Sequence, residues 1–148
     1  MMSLLSAASS QLLLIDFQAR LMPAIDEGAA VTAQAGRLLA AARILGVPRS
    51  FTEQVPDKLG ATVADLAPQA GEAVLSKCGF DAGPETGLDA HVAAGHGIVV
   101  AGCESHVCVL QTVLGLLAAG RDVAVVADAT GSRSPANREA ALARMARH

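Results

Sequence analysis

The strongest constraint on this chain is a repeating pattern: short apolar runs, each closed by polar residues, separated by longer stretches with helical spacing. The runs are Gln11–Ile15 (QLLLI) closed by Asp16, Val47–Thr52 after Gly46, Ala73–Leu75 leading into Ser76 and Lys77, Gly97–Ala101 (GIVVA), and Asp122–Ala127 (DVAVVA). Runs this short, apolar on both faces, suit strands of a parallel sheet covered on both sides. Between them, Val31, Ala35, Leu38, Leu39, Ala42 and Leu45 recur at steps of three and four, with Gln34, Arg37 and Arg43 on the other side. That spacing predicts an amphipathic helix ending at Gly46. Val107–Ala119 is apolar nearly all round and ends at Gly120, so it reads as a buried helix. Ser134 and Pro135 open a third helix, Ala136–Arg147, with an N-cap serine and proline in the first turn. Thr62–Leu66 reads as a short helical turn, and Asp81–Leu88 (DAGPETGL) as a loop. The order β-α-β-β-α-β-α predicts an α/β fold, a mostly parallel five-stranded sheet with helices on both faces.

Composition narrows the function classes. The chain has 148 residues, Lys+Arg 11 against Asp+Glu 14, and a net charge of −3. That length suits one domain over 1–148 with a core of its own. Hydrophobic residues at 52% and charged residues at 17% exclude intrinsic disorder. The acidic balance and 2% aromatic content offer neither a basic footprint nor stacking platforms, so no nucleic-acid partner is expected. No apolar run is long enough for a membrane helix. Met1–Gln11 lacks a basic leader segment, and the three cysteines, Cys78, Cys103 and Cys108, include no CxxC pair. A cytoplasmic location is the expectation, and low charge on an apolar chain predicts a homo-oligomer, dimer or higher.

In open parallel sheets the ligand site lies beyond the carboxyl ends of the strands. That rule selects Asp16, Thr52-Glu53-Gln54, Lys77, Gly102-Cys103-Glu104 with Cys108 in the following helix, and Asp128. An acid, a lysine and a cysteine on one rim suggest nucleophilic catalysis. The helix N-terminus and Lys77 are expected to depress the Cys108 thiol, making it alkylate much faster than Cys78 or Cys103. Asp16 would move the proton, and backbone N–H groups of Glu104 and Cys108 would hold an oxyanion. Each residue also has an ordinary reading: Cys108 as a small buried hydrophobe, Asp16 as a turn-former, Lys77 as a solvated surface charge. Their joint placement favours the catalytic one.

The segments LLLIDFQARLMPAI (Leu12–Ile25), LGVPRSFTEQVPDKLG (Leu45–Gly60), VLSKCGF (Val74–Phe80) and VVAGCESHVCVLQTVLGLLAAGRDVAVVADATGSR (Val99–Arg133) resemble the isochorismatase-like cysteine hydrolases. This superfamily includes nicotinamidases and N-carbamoylsarcosine amidohydrolases; the chain is most similar to its isochorismatase-domain hydrolases of unassigned substrate. The resemblance implies a three-layer, Rossmann-type fold and a catalytic triad of Asp16, Lys77 and Cys108. It also implies a cis peptide at Cys103–Glu104 that turns the Glu104 N–H toward the site, leaving Cys103 structural. The activity implied is hydrolysis of a C–N amide-type bond in a small molecule through an acyl-thioenzyme. Phe17, Gln18, Phe51, Gln54, Phe80 and Ser105 are the candidate pocket residues. Nicotinamidases hold a metal through histidines after strand two. Here that region is Thr52-Glu53-Gln54, and His91, His96, His106 and His148 lack ligand spacing. Neither a metal nor another cofactor is therefore expected, and His106 reads as a structural residue. Relatives usually continue into a sixth strand, so the C-terminal strand is expected to be missing here. A non-catalytic scaffold subunit keeping the fold is the alternative, with a redox thiol protein third because no CxxC is present.

Overall fold

The computed structural model describes residues 4–148; Met1 to Ser3, the start of the stretch read as lacking a leader, lie outside the described residues. Five strands form one parallel sheet: β1 (Ser10–Ile15), β2 (Arg49–Gln54), β3 (Ala73–Lys77), β4 (Gly97–Cys103) and β5 (Val123–Gly131), in the order β3-β2-β1-β4-β5. All five predicted runs are strands, with boundaries shifted by a few residues. The largest shift is in β5, which continues past Asp128 to Gly131 after a break in register between Val100 and Gly102 of β4. Asp128 is therefore an exposed residue within a strand rather than a rim residue.

The helices cover both faces. On one side α1 (Gly28–Leu45) buries Val31, Ala35, Leu39 and Ala42 against Leu12, Leu14, Phe51 and Ala101 of the sheet. It ends at Gly46, whose φ of 69° takes the left-handed turn that a C-cap requires. Leu45, assigned to the apolar stripe, is exposed beyond it. On the other side lie α4 (Leu110–Ala118) and α5 (Pro135–Met145), packed on Leu13, Ile15, Ile98 and Val100. Ser134 occupies the N-cap of α5 with Pro135 behind it, although its hydroxyl makes no capping bond. Two four-residue helices, α2 (Pro56–Leu59) and α3 (Gly83–Thr86), punctuate the connections, and α3 falls inside the segment predicted as loop. A 3-10 turn at Ala64–Leu66 matches the expected helical turn. Fully buried β1, apolar on both faces, is what a central parallel strand requires.

Among the described residues no helix is long and apolar enough to cross a membrane. Because β1 lies between β2 and β4, the carboxyl ends of β1, β2, β3 and β4 are consecutive neighbours. Residues distant in sequence meet at that rim.

Candidate active site

Asp16 follows the last residue of β1 with φ of 53°, a left-handed conformation that L side chains rarely adopt. The turn directs its carboxylate into the protein. Thr52 Oγ1, at the end of β2, donates to Asp16 Oδ1 at 2.7 Å. Lys77, the last residue of β3, places Nζ 2.9 Å from Asp16 Oδ2, and neither side chain has any solvent exposure. The approach is too bent for a directed hydrogen bond, so this is a contact between charges. Lys77 Nζ also donates to Gln54 Oε1 at 2.5 Å and to the Gly79 carbonyl at 3.2 Å. Three oxygens, from Asp16, Gln54 and Gly79, thus surround Lys77 Nζ.

Cys108 completes the constellation. After β4 the Cys103–Glu104 peptide is cis, and a π-helical turn, Ser105–Val109, leads into α4. The single extra residue of a π turn rotates the faces of the helix that follows. The Cys108 sulfur lies 3.8 Å from Gln54 Oε1, and both the Asp16 carboxylate and the Lys77 ammonium reach it. Gly102 has φ of 152°, and a Cβ there would lie 2.4 Å from the Ile15 carbonyl oxygen. Glycine thus permits β1 and β4 to approach beside the site.

The electrostatics overturn one expectation. Cys108 is pushed up to about 12 rather than lowered. Burial is the main cause, the negative charge of Asp16 adds to it, and Lys77 offsets only part. The helix-terminus argument fails because a buried sulfur loses more solvation than the nearby positive ends return. At neutral pH Cys108 is a thiol, and fast alkylation relative to exposed Cys78 is no longer expected. Cys103 is likewise raised to about 12 by burial, with nearby negative groups adding to it and a backbone hydrogen bond from Gly131 opposing.

The pocket residues separate into three groups. Phe17 and Phe51 are core residues packed with α1, because their positions point them into the face opposite Cys108. Phe80 is 55% exposed on the loop after β3. Gln18 is bound to backbone on every side: its amide donates to the Gln54 and Gly60 carbonyls and accepts from Gln54 N–H. It braces the end of β2, leaving no donor or acceptor directed at a ligand. Gln54 Oε1 faces Lys77 Nζ and the Cys108 sulfur. Ser105 Oγ is fully buried with no hydrogen-bond partner among the described residues.

One contributor, Arg133, was not selected from sequence. Arg133 clamps the Glu104 carboxylate through its backbone N–H at 3.0 Å, Nε at 3.1 Å and a terminal nitrogen at 3.1 Å. Burial raises Glu104, but these bonds and charges outweigh it and hold the carboxyl below 4.5. His106 Nδ1 pairs with Ser132 Oγ at 3.0 Å. Glu53 turns away from the rim and accepts from Thr62 N–H and Oγ1. Thr52 was among the strand-end residues selected from sequence; Arg133 carried no signal. Among the described residues, no three His, Cys, Asp or Glu side chains gather to hold a metal.

The isochorismatase domain model matches residues 10–148. Isochorismatase domain-containing protein 1 of Danio rerio is 42% identical over 147 residues, 97% of this chain and 51% of that protein. The chain thus spans about half the length of the first curated relatives it matches. Among solved structures, the MAR1 ribonuclease from Caenorhabditis elegans superposes with a TM-score of 0.89 at 33% identity, covering 97% of this chain and 75% of that one. YcaC from Pseudomonas aeruginosa, solved with hexane-2,5-diol and covalent acrylamide, gives 0.85 at 31% identity, over 97% of this chain and 74% of that one. A model match across nearly the whole described length, on a parallel sheet of the same layering, means that the chain belongs to the isochorismatase family.

Proposed function

We propose that the chain is a cysteine-dependent hydrolase that cleaves a C–N amide-type bond in a small molecule through an acyl-thioenzyme. The observation that carries this reading is the buried Asp16–Lys77 pair at 2.9 Å with the Cys108 thiol against it. Because the thiol is protonated at rest, the nucleophile needs a base at the moment of attack. Asp16 is that base. The sulfur adds to the carbonyl carbon while the thiol proton passes to Asp16. The oxyanion is received by the backbone N–H groups of Glu104 and Cys108, the first directly after the cis peptide. Collapse breaks the C–N bond, and the amine leaves with the proton from Asp16. Water then attacks the thioester, Asp16 takes its proton, and the acid departs as Cys108 is restored. Lys77, 2.9 Å from Asp16 Oδ2, holds that carboxyl in place beside the sulfur, and Ser105 Oγ offers its free bond to the substrate. The covalent acrylamide in the Pseudomonas aeruginosa relative is in keeping with a reactive residue in such a fold.

A nucleic-acid substrate, as the name of the Caenorhabditis elegans relative suggests for that protein, is not favoured here. A net charge of −3 and the absence of Trp and Tyr leave little to hold a polyanion. We also propose a homo-oligomer, since 17% charged residues leave an apolar groove of about 600 Å³ between α4, α5 and β5. The function is tested with a panel of small amides, by intact-mass analysis of quenched mixtures. An acyl adduct on Cys108, absent in Cys108→Ser, is expected. Turnover that survives Cys108→Ser would sink the reading.

A further inference from the structure

Lys77 and Gln54 are held by a loop whose own anchor lies outside the site. After β3 the chain runs through Cys78, Gly79 and Phe80 into α3, and Glu85 of α3 folds back onto the start of that loop. Cys78 N–H donates to Glu85 Oε1 and Oε2, each at 3.0 Å, and Gly79 N–H donates to Oε1. Gly79 leaves the room: a Cβ there would lie 2.9 Å from Glu85 Oε1. Glu85 is exposed, yet its backbone partners and Lys77 hold it below 4.5.

The consequence follows from the planarity of the peptide bond. In a trans peptide the N–H and the preceding C=O point in opposite directions. Fixing Cys78 N–H outward on Glu85 therefore fixes the Lys77 C=O inward, where it accepts from Val55 N–H at 2.8 Å. Fixing Gly79 N–H outward fixes the Cys78 C=O inward, where it accepts from Gln54 Nε2 at 2.5 Å. With Nε2 committed, the Gln54 amide must present Oε1 to Lys77 Nζ and to the Cys108 sulfur. The Gly79 carbonyl, next along, takes another N–H of Lys77. The far side of the loop is tied to α4 through Thr112 Oγ1, which accepts from Ala82 N–H and donates to the Phe80 carbonyl.

We infer that Glu85 is a positioning residue: by pinning the peptide planes of Cys78 and Gly79 it sets Gln54 and Lys77 against Cys108. Nothing in its side chain needs to touch the reacting atoms. The inference rests on Cys108 being the working nucleophile, so its test reads the thiol directly and needs no substrate. In a Cys78→Ser background, the rate of Cys108 carbamidomethylation by iodoacetamide at pH 9 is followed by peptide mass spectrometry. The charged groups bearing on the thiol are Asp16, which raises it, and Lys77, which lowers it. Losing the hold on Lys77 leaves Asp16 unopposed, and each further rise of the thiol depletes the thiolate in proportion. Glu85→Ala is expected to slow labelling about five- to tenfold. Glu85→Gln, equally uncharged but able to keep an acceptor at the Oε1 position, is expected to stay within about twofold of the parent. A merely structural role has the opposite sign, because a loosened loop uncovers Cys108 and labelling accelerates. Faster or unchanged labelling in Glu85→Ala, or equal slowing in both variants, would overturn the inference. If no amide ever acylates Cys108, the hydrolase reading fails by itself while the labelling series still reports on Glu85.

Discussion

Two carboxylates, Glu72 at the amino ends of β2 and β3 and Asp16 at the carboxyl end of β1, are each paired with basic side chains, and the two arrangements have different consequences. At the amino ends, Glu72 binds Arg43 at 2.8 Å through one oxygen and Arg49 at 3.0 Å through the other. It accepts Gln69 N–H as well. Burial raises this carboxyl, but the arginine and backbone bonds outweigh it, and the net position is below 4.5. Both oxygens accept hydrogen bonds and both arginines are about a quarter exposed. At the carboxyl ends, Asp16 and Lys77 have no exposure at all, and the third member of the cluster is an un-ionised thiol. The first is closed chemistry that ties β2, β3 and α1 together. At the second, Ser105 Oγ has no hydrogen-bond partner among the described residues, and under the proposed function the thiol still has a proton to move. Saturation distinguishes a brace from a site more sharply than charge or burial alone.

The comparison is broken most severely at Cys108. Cys108→Ser should lower amide turnover by about a thousandfold or more while leaving the urea midpoint nearly unchanged. A comparable loss from Glu72→Gln would mean that the two ends do not differ in kind. Next in size is Lys77→Met, which leaves the Asp16 carboxylate buried and unmatched. We expect a loss of about 3–5 kcal/mol in urea denaturation, most of it recovered in Asp16→Asn/Lys77→Met. No recovery in the double variant would show that the cost is not the stranded charge.

Much of this was legible in the sequence because strand ends are. Asp16, Lys77 and Cys108 each close or follow an apolar run, and parallel topology carries such positions to one rim. What was not legible depends on three-dimensional facts with no local signature. Phe17 and Phe51 stand beside rim residues in sequence, yet pack on the α1 face. Asp128 was displaced from the rim by the register break in β5. The direction of the thiol's shift depends on how deeply it is buried, which spacing does not report. Glu85 lies in a Gly- and Pro-containing stretch that reads as loop, so its return to Cys78 was invisible.

Two smaller effects sharpen the contrast. With iodoacetamide at pH 7, exposed Cys78 should be labelled at least about tenfold faster than Cys108, reversing the order expected from a depressed thiol. Peptide mapping over time decides this. Finally, Glu72→Gln should cost only about 1 kcal/mol, because the released arginines can turn to water. Its signature is pH dependence. Glu72 and Glu104 have folded-state pKa values below 4.5, so their stabilisation is present above that value and lost as pH falls through the lower folded values. Thermal melts should be flat above about pH 5.5 and decline in acid, with a shallower decline in Glu72→Gln. An unchanged acid slope would remove Glu72 from the account.

Gly102 has a consequence for how such a site can vary. Its missing Cβ sets the gap between β1, which ends at Asp16, and β4, which leads to Cys108. This position offers no graded series: the step from hydrogen to methyl already places a carbon 2.4 Å from the Ile15 carbonyl oxygen. The distance at which Asp16 and Cys108 meet is therefore inherited as a fixed dimension, whatever side chains stand at its two ends.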